Sequence, residues 1–137
     1  MKQNLVPENS PNFMEKRLTS KEQRKIVKEQ FQRLKDKFLT KEQSAKVHLR
    51  ELSTDYWLIH RPWSCGLTIC YHDSAMQVSQ MYFAIRLFYK HEKLDFLLDT
   101  IAHEFAHVYL NFINPKLGHG KEHDKQKEHF LKYLLAN

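Results

Sequence analysis

His103, Glu104 and His107 spell H-E-x-x-H within the stretch Asp99–Asp124, which holds four of the chain's nine histidines. On an α-helix, positions i and i+4 lie one turn apart on one face, so two imidazoles can converge on a single tetrahedral ion. Glu104 is one position on from the first imidazole, turned about 100° around the helix axis, and its longer side chain can reach water at the ion's open position. Such water is acidified to a pKa near 7 on catalytic zinc, and a carboxylate can take its proton as it attacks a carbonyl carbon. The pattern therefore supplies two ligands and one general base from a single turn, and points to Zn2+ as cofactor. It also lies in the most apolar helical stretch of the chain, where two histidines and a carboxylate are costly to bury without a use.

A third protein ligand is needed, and "GHGKEHD" holds the candidates. His119 stands between two glycines, in a loop that can bend it back over the helix, and is the expected third ligand. His123, one helical turn on, is the first alternative and otherwise a residue of the cleft. Glu122 or Glu128 would serve if the ligand were an acid on a later helix. The spacing H-E-x-x-H-x-x-G-x-x-H is absent, because "VYLNFI" follows His107.

The elements that must position these groups follow from the periodicity. Residues 1–15 hold two of the four prolines, with several Asn and a Ser, and predict a flexible N-terminal tail, leaving 16–137 as one domain. Ser20 and Gln23 have capping-box spacing, and Val27, Phe31, Leu34 and Phe38 follow as the apolar face of a helix over 20–38. Thr40 and Gln43 repeat the signature ahead of a second helix at 41–52. Tyr, Trp, Phe, Ile and Val dominate 56–89 and predict strands near 56–60, 66–72 and 80–89, with Gly66 marking a bulge or a close backbone approach. "KLDFLLDTIAHEFAHVYLNFI" is apolar nearly all round, the mark of a buried helix, and Asn114 and Pro115 stop it. In the last helix, 121–137, Phe130, Leu131, Leu134 and Leu135 face inward. The fold class is α+β, zincin-like: a small antiparallel or mixed sheet packed on a buried active-site helix with flanking helices.

Composition bounds the rest. Hydrophobic residues make up 42% of the 137 positions, enough for a core, and no apolar run nears the ~20 residues of a membrane helix. No secretory signal is legible, and Cys65 and Cys70, in a C-x-x-x-x-C spacing, fit neither a redox pair nor a zinc ribbon. Two thiols in a reducing cytoplasm are expected. The net charge of +6 favours contact with polyanions only weakly, since much of it lies on lysine-rich helix faces.

The pattern H-E-x-x-H, eleven residues, then H-G resembles the SprT-like zinc metalloprotease domain, the family of SprT and Spartan. The likeness is specific over about 82–124, with "FAIRLFYK" in the place of the family's strand ahead of its active-site helix. Carried over by position, it implies that His103, His107 and His119 are zinc ligands and Glu104 the general base. It implies substrates that are proteins bound or crosslinked to DNA, a basic surface on phosphates, and the nucleoid or nucleus as a further compartment. Two departures stand out: the family's aromatic after H-G-x-x is His123 here, and no four-cysteine zinc ribbon follows. The strand near 82–89 is expected to be a sheet edge that pairs with substrate backbone. Trp57, Trp63 and the tyrosines are candidates for stacking on bases, against ordinary core roles, and Tyr109 is read as core. Two other readings remain: a regulatory H-E-x-x-H peptidase of ImmA/IrrE type, with an acidic third ligand, and a non-catalytic basic module that binds nucleic acid. Oligomeric state is left open.

Overall fold

The computed structural model describes residues 16–114 and 120–136, so the expected tail and His119 lie outside the described residues. The first helix, α1 (Ser20–Phe38), has the expected span, but its cap is one residue earlier than the sequence reading. Thr19 accepts from the Glu22 amide and Glu22 accepts from the Thr19 amide, a reciprocal pair that satisfies two end donors. Val27, Phe31 and Leu34 form its buried stripe.

The predicted second helix is cut short. α2 spans only Lys41–Ser44, capped by Thr40 as expected, and Val47–Leu49 leaves as strand β1. Val47 pairs in parallel with Met81, and the ladder is continued by bonds from Met81 N to Lys46 O and from Arg50 N to Phe83 O, each 2.8 Å. Tertiary pairing here overrides a local pattern that read as helix.

The expected strand at 56–60 is also a correction. Thr54–His60 is helix α3, whose N-cap Ser53 accepts from the Tyr56 amide, and Trp57 is its buried anchor. Trp57 is thus core and offers no face to a base; Trp63 is exposed. The chain then runs as β2 (Gly66–His72) and returns as β3 (Val78–Ile85). Between them Asp73 Oδ1 accepts from the Ala75 and Gln77 amides, closing the turn that "HDSA" suggested.

The strand order is β1-β3-β2, with β1 parallel and β2 antiparallel to β3, so the sheet is mixed. This overturns the expectation that the 82–89 strand is a free edge. β3 is central and ends at Ile85, residues 89–92 forming a short 3-10 turn, and the edge nearest the histidines is β2.

The long helix α4 (Leu94–Ile113) crosses one face of the sheet and is packed on its other sides by α1 and by α5 (Lys121–Leu135). Leu97, Ile101, Phe105 and Val108 are fully enclosed, and Phe105 meets Phe130 of α5 edge-on at 4.9 Å. Phe31 of α1 stacks on Phe83 of β3 at 4.5 Å, closing the same core. Of the residues expected to face in from α5, Phe130 and Leu134 do and Leu131 does in part, whereas Leu135 is exposed. Tyr109 packs half-buried against the core, as expected. The architecture is α+β, and no described helix is long and apolar enough to cross a membrane.

Candidate metal centre

α4 carries His103, Glu104 and His107 on the side that faces β2 and the start of α5. The two imidazoles of α4 lie with centroids 5.1 Å apart. His123 enters from the first turn of α5, with its ring 4.5 Å from that of His103 and 4.1 Å from that of His107. One ring nitrogen from each of the three lies within 4.8 Å of the others, and among the described residues no other trio of His, Cys, Asp or Glu is so placed. Two nitrogens bound at about 2.0–2.1 Å to one tetrahedral ion sit about 3.4 Å apart, so modest ring rotations bring this trio to a metal.

The chemistry of His123 fits such a role. Its Nε2 donates to the carbonyl of His103 at 3.0 Å, a bond only a protonated Nε2 can make. Nδ1 is then the nitrogen that would meet an ion. A metal-binding imidazole usually anchors its other nitrogen in this way, on a backbone carbonyl or a carboxylate. The ring is 1% exposed, which is unusual for a histidine in the first turn of a surface helix. The acidic alternatives are engaged elsewhere: Glu122 accepts from Gln126 and Glu128 pairs with Lys132.

Glu104 is held by β2. Thr68 Oγ1 lies 2.9 Å from its Oε1 and 3.2 Å from its backbone oxygen. Gly66 explains the close approach: a Cβ there would sit 2.6 Å from Glu104 Cγ, inside any real contact distance. The glycine therefore marks a close approach of backbone and side chain, while the irregularity in the β2–β3 ladder falls at Tyr71/His72.

Burial pushes the Glu104 carboxyl up to about 7 from an ordinary 4.5, against the opposing pull of Thr68 and of the Arg61 charge. With its pKa raised in the folded state, this group's stabilising contribution is full below pH 4.5 and is lost as pH rises through 7. Metal-free Glu104→Gln should therefore be more stable than wild type above pH 8, by on the order of 2–3 kcal/mol, with the gap closing below pH 4.5. Urea unfolding of chelator-treated protein at both pH values measures it.

These groups open onto a cleft of about 530 Å³ between the first half of β2 and α4, lined by Arg61, Ser64, Phe96 and Asn111 among others. Its rim is pinned by Arg86. The buried guanidinium donates to Pro62 O at 3.1 Å and to Ser64 O at 3.2 Å, while its backbone amide donates to Cys65 O. The Arg86 carbonyl accepts from His91 Nδ1, and His91 Nε2 faces Thr100 Oγ1 at 2.9 Å, tying the rim to α4. Burial holds His91 below the ordinary imidazole range, so it is neutral in this linkage.

His103, Glu104 and His107 thus line one cleft, His123 lies within reach of both imidazoles, and His119 lies outside the described residues. Thr68 and Arg86 were missed by sequence reasoning. An arginine inside the apolar run "FAIRLF" was a signal of a buried polar role; a lone threonine in a strand offered none. Compared with protein-family models, curated proteins and solved structures, the chain matches none.

Proposed function

We propose that this protein is a zinc-dependent metallopeptidase of zincin-like architecture. The observation that carries the reading is the convergence of His103, His107 and His123, with His103, His107 and the buried carboxylate of Glu104 lining an open cleft. His103, His107 and His123 would hold the ion. When bound, zinc supplies a Lewis acid that polarises a carbonyl and acidifies water.

The chain's own residues supply the rest. Glu104, buried on the same helical turn as the two imidazoles, would accept a proton from the attacking water and return it to the leaving amine. Thr68 and Gly66 fix its side chain against β2. β2 is an edge strand, so half of its backbone groups point away from β3 along the cleft, where an extended peptide can add as a further strand. Gly66→Ala should displace Glu104 without touching the histidines. Its peptidase activity is expected to fall by about a hundredfold, the usual result of an ångström-scale misplacement, while bound zinc stays at the wild-type level.

The resemblance to SprT-like domains extends the proposal to proteins bound or crosslinked to DNA as substrates. It also favours a second ligand set, with His119 in place of His123, because H-G follows the first two histidines at the family's spacing. His119→Ala and His123→Ala, each assayed for bound zinc, separate the two sets. The proposal as a whole is tested by metal-dependent cleavage of an unfolded protein such as casein, with chelator and Glu104→Gln as controls.

A further inference from the structure

The cleft beside the histidines is long, and its two ends differ in chemistry. On its α4 side it runs from Phe96 to Asn111, about 22 Å at 1.5 Å per residue. An extended peptide rises about 3.3 Å per residue, so roughly six or seven of its residues fit that length. His103, Glu104 and His107 occupy the middle of the run. Phe96 and Asp99 lie about 10 Å and 6 Å up the helix from His103. The end they mark is therefore roughly two or three peptide residues from the reacting bond.

Arg61 belongs to that end. β2 runs alongside α4 in the same direction, since Gly66 meets Glu104 and the turn beyond β2 shares a pocket with Asn111 and Ile113. The turn that carries Arg61 is tied to the first half of α4 through Arg86, which holds Pro62, Ser64 and His91. His91 in turn packs on Phe96 at 5.5 Å and faces Thr100. Arg61 itself closes α3: its amide donates to Trp57 O at 2.9 Å, and its carbonyl accepts from the Ser64 amide at 3.1 Å. Its backbone is fixed, but the residue is exposed. The guanidinium is near enough to Glu104 for its charge to be felt at that carboxyl. Three charged residues line the cleft, and two of them are engaged: Glu104 by Thr68, and Asp99 by Lys127 at 2.9 Å. Among the described residues nothing pairs with the Arg61 guanidinium.

Resting on the peptidase reading, we propose that Arg61 is a specificity-determining residue: it binds a carboxylate of the peptide substrate, on an acidic side chain or at the chain's own terminus, roughly two or three residues from the bond that is cut. The planar guanidinium presents its donors as a fork that matches a carboxylate with two parallel bonds. A lysine in the same place on the substrate meets like charge. The contact is partly open to water, so it acts as a selector among substrates through binding and leaves the chemical step alone. It concerns one position only, so a basic protein satisfies it with a single acid.

The test measures binding apart from cleavage, with the intact Glu104→Gln chain in the presence of zinc. The probes are end-labelled, C-terminally amidated peptides of alanine and serine, about eight residues long, read by fluorescence anisotropy. One glutamate is moved from position to position, each peptide being compared with its glutamine counterpart. One position should favour glutamate about tenfold, between the return of an exposed ion pair and that of a buried charged hydrogen bond. Adding Arg61→Ala should remove the difference, and adding Arg61→Glu should turn it towards lysine. Wild type, given the same pair as substrates, should show the same ratio in kcat/KM, carried by KM. A neutral peptide with a free C-terminus that binds tighter still, and only with Arg61 present, names the terminus as the carboxylate read. Peptides that bind at no position, or glutamate and glutamine bound alike at every one, overturn the proposal. So does a preference that survives Arg61→Ala, even where both peptides bind less well. Wild type that shows the Arg61-dependent preference yet cuts no peptide supports the carboxylate site and fails the peptidase reading alone.

Discussion

Glu104→Gln is expected to lower peptidase activity by at least about a hundredfold, and by up to about ten-thousandfold, with zinc retained at wild-type stoichiometry. The amide keeps the size of the carboxyl and can still meet Thr68 Oγ1, which lies 2.9 Å from Oε1 in the wild type. What it loses is the capacity to accept a proton. The loss should fall on kcat, because a group that acts in the transition state adds nothing to ground-state binding that the amide removes. The same change should leave the metal-free protein more stable at alkaline pH, since burial of the charged carboxylate is what raises its pKa to about 7. A residue whose replacement abolishes a reaction and strengthens the fold is positioned for chemistry at a cost to stability. Activity that persists in Glu104→Gln would remove the general base from the account.

The second large effect concerns the metal. His103→Ala or His107→Ala should weaken zinc binding by more than about a hundredfold, since losing a ligand exceeds the usual cost of losing a group that only orients one. Zinc that binds the folded chain alone also stabilises it, by about 2.7 kcal/mol at a hundredfold excess over Kd. Wild type should therefore unfold at a higher temperature with zinc than with chelator, and the two variants should not distinguish the conditions. His123→Ala is expected to join them. Its ring lies within 4.1–4.5 Å of both partners and its Nε2 is already spent on the His103 carbonyl. If His119→Ala loses zinc and His123→Ala keeps it, the ligand set implied by the family spacing is the correct one.

How far these predictions could be made from residues alone differs along the chain. α4 was legible because its apolar residues recur around the whole helix and Asn114 ends it, and H-E-x-x-H placed on that helix fixes the relation of three side chains. Thr40 and Gln43 marked the start of α2, but not its end after four residues, because β1 is held by pairing with β3 and not by its own sequence. Thr54–His60 misled in the other direction: Tyr, Trp, Leu and Ile read as strand, and the decisive signal was the serine cap at Ser53. The identity of the edge strand was out of reach, since order in a sheet is a property of topology. β3, expected at the edge, is bonded on both sides, and β2 lies along the cleft instead. Likewise the choice between His119 and His123 depends on where α5 begins, and neither flanking glycines nor helical spacing settles that. Gly66 was read as a bulge or a close backbone approach, and what decides between them, the side chain of Glu104, lies 38 positions on and is visible only in the fold.

The central claim is that His103 and His107, with a third imidazole, hold one zinc ion next to Glu104. X-ray absorption on the purified, zinc-loaded chain measures this most directly, by counting the nitrogen ligands at about 2.0 Å. The account predicts one zinc per chain with three imidazole nitrogens, and loss of the ion in His103→Ala and in His107→Ala. A wild-type chain that takes up no stoichiometric zinc, or one whose zinc survives both substitutions, would contradict it.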